Sequence, residues 1–255
     1  LDFNYLSDNG VDVICRLNWG YADGTGTIPP PEHWDVWVDA MVDTINNSSG
    51  AWGYVIANEL NNPIEWPGSY PDPTYIPTPL DYTELYNRIA DRTNARLAPF
   101  SVDPFNVIAG EFGQPNDPAD WARTVYANID QLDFVALHAK TQTNDPNECW
   151  SDAKFTHPPL EDRYLHLRTV EDQLEWMPNV DVPVVITELN PQTKDGALGW
   201  EPDNAEWIRQ AFAYLRTQPI DGAVLYRYEL AGGGQEGFAL EDKPTLLNAL
   251  REEIA

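Results

Sequence analysis

The 255 residues carry 15 Lys plus Arg against 41 Asp plus Glu, a formal net charge of −26, and 42% of them are apolar. A surface this acidic repels phosphate backbones and anionic headgroups, and with the arginines scattered singly among carboxylates it leaves no basic patch to recruit nucleic acid. The apolar share can build a core, which excludes disorder, and no run reaches the roughly 18–20 apolar residues of a membrane span.

Residues 1–10 read as the end of a helix closed by a turn at Asp8-Asn9-Gly10. A strand is expected over 12–18, then a helix whose one face carries Trp34, Trp37, Val38, Met41, Val42 and Ile45 at helical spacing. A strand over 52–58 leads into an insertion, 61–80, that holds six prolines. The next stripe is Leu85, Ile89 and Leu97, with Asp81 and Glu84 at capping-box spacing.

A strand over 106–112 precedes a helix that starts at Asp117-Pro118 and buries Trp121, Val125, Ile129 and Leu132. The strand over 133–139 is followed by a second insertion, 141–163, and by the stripe Leu165, Leu167, Val170 and Leu174. Residues 183–189 form a strand, Asp203 and Glu206 cap a helix with Trp207, Ile208, Ala211, Phe212 and Leu215 on its face, and 221–228 is the last strand. Short, almost wholly apolar strands alternating with amphipathic helices are the pattern of parallel βα units buried on both faces. Cys15 and Cys149 make no disulfide framework and read as unpaired thiols.

In such α/β folds the chemistry sits at the C-terminal ends of the strands, and long loops after strands build the same face. Those ends are polar here: Asn18 and Trp19, Asn58 and Glu59, Glu111, His138, Thr187 and Glu188, then Tyr226, Tyr228 and Glu229. Paired carboxylates are what cleavage of a glycosidic bond needs, one neutral to protonate the leaving oxygen and one ionised to attack the anomeric carbon. Glu59 and Glu188 are the chosen pair. Glu111 could bind a sugar hydroxyl or serve the structure alone, and His138 could border the site or sit satisfied in the core. Trp19, Trp66, Trp150 and Trp200 fall in segments after strands, where an indole can stack on a sugar or simply pack.

No His-Glu-x-x-His, Cys-x-x-Cys, Gly-x-Ser-x-Gly or dinucleotide fingerprint occurs, and Gly232-Gly233-Gly234 lacks a Lys-Ser/Thr partner. No metal and no cofactor are therefore expected.

The residues resemble the clan A glycoside hydrolases, retaining enzymes on a (β/α)₈ TIM barrel. Asn58-Glu59-Leu60-Asn61 is similar to their Asn-Glu-Pro-Asn motif at the end of the fourth strand, and Val184-Val185-Ile186-Thr187-Glu188-Leu189 to their seventh strand. The resemblance implies Glu59 as general acid/base, Asn58 as the ligand of the sugar 2-hydroxyl and Glu188 as nucleophile. It also implies His138 near the nucleophile, with Tyr226 or Tyr228 beneath the bound sugar. Leu60 departs from the family's Pro, and Ala139-Lys140 from an aromatic that follows the sixth-strand His, changes read as remote from both carboxylates.

On this alignment the chain supplies strands three to eight, so residues 1–255 are expected to be one barrel domain whose first two strands come from an upstream segment. The expected partner is a β-linked oligo- or polysaccharide, and the acidic, lysine-poor surface suits an extracellular or cell-surface setting. A barrel that has lost turnover and serves as a carbohydrate-binding or structural module of a larger surface assembly is the rival. Transglycosylation would use the same residues.

Overall fold

The computed structural model describes residues 1–20, 24–68, 72–105, 117–156, 158, 160–178, 181–192, 199–200, 203–228 and 236–254. The chain packs as two compact units, Leu1–Ala136 with Trp176–Pro183, and Leu137–Glu175 with Val184–Ala255.

In the first unit α1 (Asn4–Ser7) precedes β1 (Ile14–Leu17), α2 (Trp34–Asn46), β2 (Gly53–Ile56), α3 (Pro79–Ala90), β3 (Leu97–Pro99) and α4 (Pro118–Asn128). The strands form a parallel sheet in the order β1-β2-β3, with Ile14 beside Gly53 and Tyr54 beside Leu97. β2 is buried along its whole length, as its apolar run requires. Gly53 admits the Phe134 ring, whose nearest atom would stand 2.8 Å from an added Cβ. α2 buries Trp37, Val38, Met41, Val42 and Ile45, and the partly buried Trp34 packs on the same core. Tyr82 ties the strand ends together: its hydroxyl donates to Ile56 O (2.9 Å) and accepts from Phe100 N (3.2 Å).

Two expectations shift here. α3 is capped by Thr78, whose Oγ1 accepts from Asp81 N (3.2 Å) while Asp81 Oδ2 accepts from Thr78 N (2.8 Å). Pro79 decides this register, since its fixed φ and missing N–H suit the first helical position. Leu97 does not prolong the helix but enters β3, because Ala98 precedes Pro99 and is thereby biased to extended backbone. Asp133 holds that strand, accepting from Leu97 N (2.9 Å) and donating its own N–H to Leu97 O (3.0 Å). The expected strand over 106–112 lies outside the described residues. Asp117 caps α4 as expected, accepting from Ala119 N at 2.8 Å.

The second unit holds most of β4 (Val135–Thr141), then α5 (Thr169–Trp176), β5 (Val184–Pro191), α6 (Ala205–Leu215), β6 (Gly222–Leu225) and α7 (Pro244–Ile254). The sheet order is β4-β5-β6, with β5 and β6 parallel. α6 buries Trp207, Ile208, Ala211 and Leu215 as expected, but its cap is Asn204, which accepts from Glu206 N. Asp203 serves α7 instead, accepting from Leu246 N (3.0 Å) and Thr245 N (3.3 Å). α7 itself escaped the sequence reading; it buries Leu246 and Ala249 and pairs with α6 through Arg209 with Glu252 and Arg216 with Glu253. The described residues thus hold six strands in two three-stranded sheets, against the eight of a full barrel. No helix among them is long and apolar enough to cross a membrane.

Candidate active site

In the first unit the polar residues collect where β2 ends. Ala57 (φ 69°) and Glu59 (φ 36°) both take left-handed backbone, a conformation that costs a non-glycine residue of order 1 kcal/mol or more and is held only by its surroundings. The surroundings are hydrogen bonds: Ala57 N to Leu17 O (2.8 Å), Glu59 N to Ser101 O (3.2 Å) and Asn62 N to Glu59 O (2.7 Å). Glu59 is thereby presented just beyond the strand, 7% exposed.

Asn58 is buried beside it with its amide oriented from both sides. Arg16 Nη1 donates to Oδ1 (2.8 Å), and Nδ2 donates to Glu65 Oε1 (3.2 Å). Below, Asn61 exchanges two 2.8 Å bonds with the backbone of Asp103, which locks the loop to the segment after β3. Asn18, at the end of β1, has both amide atoms buried with no hydrogen bond among the described residues.

In the second unit β5 delivers Glu188, again 7% exposed, and β4 delivers His138 and Lys140. Side chains two apart on a strand share a face. His138 Nε2 stands 3.8 Å from Glu188 Oε1, and Lys140 Nζ stands 3.7 Å from Glu188 Oε2. His138 is held through its backbone, its carbonyl accepting from Gln173 Nε2 at 2.8 Å. The structure brings His138 beside Glu188, and it corrects the reading of Lys140, which is not remote but contacts that carboxylate. The signal was its spacing, two residues after a histidine already singled out.

The aromatic residues divide. Trp66 and Trp200 are not exposed platforms: Trp66 is fully buried with its indole N–H on Leu60 O (2.7 Å), and Trp200 packs edge-on against Trp207 with its N–H on Tyr226 O (2.8 Å). Each lies close enough to a main-chain carbonyl to satisfy its one donor inside, so packing wins. Trp19 (38% exposed) lies parallel to His33 with ring centroids 5.8 Å apart, and Trp150 (46% exposed) stands edge-on to Tyr214. Tyr228 is exposed, whereas Tyr226 is partly covered and meets Phe238 edge-on. Glu111 and Glu229 lie outside the described residues. Both cysteines are free, and burial pushes the Cys149 thiol up to about 12, which removes it as a nucleophile.

No protein-family model matches the chain, and no curated protein matches it. Solved structures do. A GH128 (subgroup II) endo-β-1,3-glucanase from Sorangium cellulosum is similar at 15% identity and a TM-score of 0.56, over 99% of this chain and 83% of that one. A GH5_18 protein from Bifidobacterium longum subsp. infantis reaches a TM-score of 0.65 at 13% identity, over 96% of this chain and 61% of its own. A GH128 (subgroup I) endo-β-1,3-glucanase from Amycolatopsis mediterranei, in complex with laminaritriose, gives 0.51 at 12% identity, over 96% and 83%. At these identities the likeness is one of fold: the chain folds like glycoside hydrolases, the class its Asn58-Glu59 and Thr187-Glu188 motifs resemble.

Proposed function

We propose that residues 1–255 act as one glycoside-hydrolase domain that cleaves β-linked glucan by double displacement. A Glu188 oxygen attacks the anomeric carbon, the bond from that carbon to the leaving oxygen breaks, and the leaving oxygen takes the proton of Glu59. Glu59, now ionised, takes a proton from water as the water oxygen bonds to the same carbon, and the glycosyl ester to Glu188 breaks to release the sugar. Asn58 would hold the 2-hydroxyl, with Trp19, Trp150, Tyr226 and Tyr228 available for stacking and Glu111 for a further hydroxyl.

The observation that carries this reading is Glu188 on β5, buried yet facing a lysine and a histidine. An adjacent ammonium keeps a carboxylate ionised in a setting that would otherwise favour its neutral acid, which is the state a nucleophile needs. The endo-β-1,3-glucanases of similar fold make β-1,3-glucan the first substrate to try. An extracellular polysaccharide would also suit a chain of net charge −26.

The test is turnover of laminarin, other β-glucans and a panel of 2,4-dinitrophenyl β-glycosides by the full polypeptide, with Glu188→Gln and Glu59→Gln alongside. Loss of about 10²-fold or more in each variant supports the assignment. Proton NMR of the first product distinguishes retention, which releases the β-anomer, from inversion. No turnover, or turnover unchanged in both variants, overturns it in favour of a binding or structural role.

A further inference from the structure

We infer that Lys140 is a positioning residue that makes Glu188 a good leaving group in the second step, so that it sets the rate of deglycosylation rather than of attack. The inference rests on Glu188 being the nucleophile. Lys140 is 8% exposed, and a buried ammonium is costly unless a charge or acceptors compensate it. Its Nζ faces one oxygen of Glu188 while His138 Nε2 faces the other, at 3.7 and 3.8 Å. The two β4 side chains sit two residues apart on one strand face, a step of roughly 6–7 Å, so the carboxylate lies between them with one oxygen toward each.

The direction of the kinetic effect follows from where the charge resides. In the free enzyme Glu188 is an anion stabilised by Lys140. In the glycosyl ester that negative charge is gone, and the ammonium no longer faces an anion at this carboxyl group. When water attacks, the bond from the anomeric carbon to Glu188 breaks, the electron pair returns to the carboxylate beside Lys140, and the water proton goes to Glu59. A positive charge next to the departing oxygen lowers the barrier to that departure, whereas in the first attack it stabilises the anion and weakens the nucleophile.

The experiment compares parent, Lys140→Met and Lys140→Arg on the fastest 2,4-dinitrophenyl β-glycoside of the panel, by steady-state and stopped-flow kinetics, with thermal midpoints measured in parallel. Lys140→Met should lower kcat about 10-fold or more, with KM falling alongside so that kcat/KM changes far less, and should release a burst of dinitrophenolate equal to the enzyme present. Lys140→Arg should restore most of kcat and shrink the burst. An active parent whose Glu188→Gln variant is dead, but whose Lys140→Met variant shows no burst or loses kcat and kcat/KM equally, overturns the inference about Lys140 alone. An inactive parent, or an unaffected Glu188→Gln, overturns the hydrolase reading beneath it.

Discussion

Arg16 Nη1 donates to Asn58 Oδ1 at 2.8 Å, one of two bonds that decide which way the amide of Asn58 faces. With a donor on the oxygen and the Glu65 carboxylate on the nitrogen, a flipped amide would set like against like on both sides. Asn58→Asp would place a second carboxylate against Glu65, so both activity and thermal midpoint should fall. Asn58→Ala should lower kcat/KM by about 10², the scale of a 2-hydroxyl contact that tightens in the transition state. Arg16→Met keeps Asn58 and loses its anchor, for a loss of about 10-fold from misplacement. Parent-like kinetics in Arg16→Met would show that Glu65 alone suffices to orient the amide.

The four tryptophans flagged by sequence should separate into two groups under the same substitution. Trp66→Ala and Trp200→Ala each remove a buried indole and should cost about 3–5 kcal/mol in urea unfolding. Trp19→Ala and Trp150→Ala remove half-exposed rings, should cost about 1 kcal/mol or less, and should instead weaken binding of a laminari-oligosaccharide. Binding unchanged in both would remove these rings from the proposed subsites.

Much of the fold was legible because its signals are local. The α2 stripe, the Asp117-Pro118 start of α4 and five of the strands depend on periodicity and caps within a few residues. What escaped depends on partners far along the chain. Asp203 has the spacing of a cap for α6 yet serves α7, some forty residues on, and β3 is three residues whose extension is set by Pro99 and Asp133. At the candidate site, motif and strand context single out Asn58, Glu59, His138 and Glu188 as candidates. Lys140 was passed over because it departs from the family's pattern, and only the pairing of β4 with β5 reveals that it faces Glu188.

Two neighbouring carboxylates on α5 should give opposite pH dependence. Glu171 is held below its ordinary value by hydrogen bonds from Arg168, against some desolvation, with Tyr214 adding a bond at 2.9 Å. Its folded form binds fewer protons than the unfolded chain, so its stabilisation is present above the ordinary glutamate value and is lost as pH falls through the folded one. Asp172 is raised by burial, outweighing the bond it accepts from Tyr164 N. Its folded form binds more protons, so stability declines as pH rises from the ordinary aspartate value through the raised one. Glu171→Gln should therefore destabilise at pH 7 and much less at pH 3. Asp172→Asn, which keeps an acceptor for Tyr164, should be neutral to stabilising at pH 7. Urea midpoints at the two pH values check both, and equal shifts for the two variants would refute the assignment.

Asn18 offers the sharpest separation of stability from function. Its amide is buried at the end of β1 with neither atom hydrogen-bonded among the described residues, and its backbone is held in place by the neighbouring bond from Trp19 N to Thr27 O at 2.8 Å. An unsatisfied buried polar group costs about 1–3 kcal/mol, so a chain under selection for stability alone would carry an apolar residue there. β1 lies beside β2, the strand that leads to Asn58 and Glu59, so a sugar hydroxyl is the partner that would repay the cost. Asn18→Leu should raise the urea midpoint, by the equivalent of about 1 kcal/mol, and raise KM for the preferred glucan about 10-fold with a smaller effect on kcat. A variant that is destabilised with KM unchanged would make Asn18 a structural residue, satisfied within the protein itself.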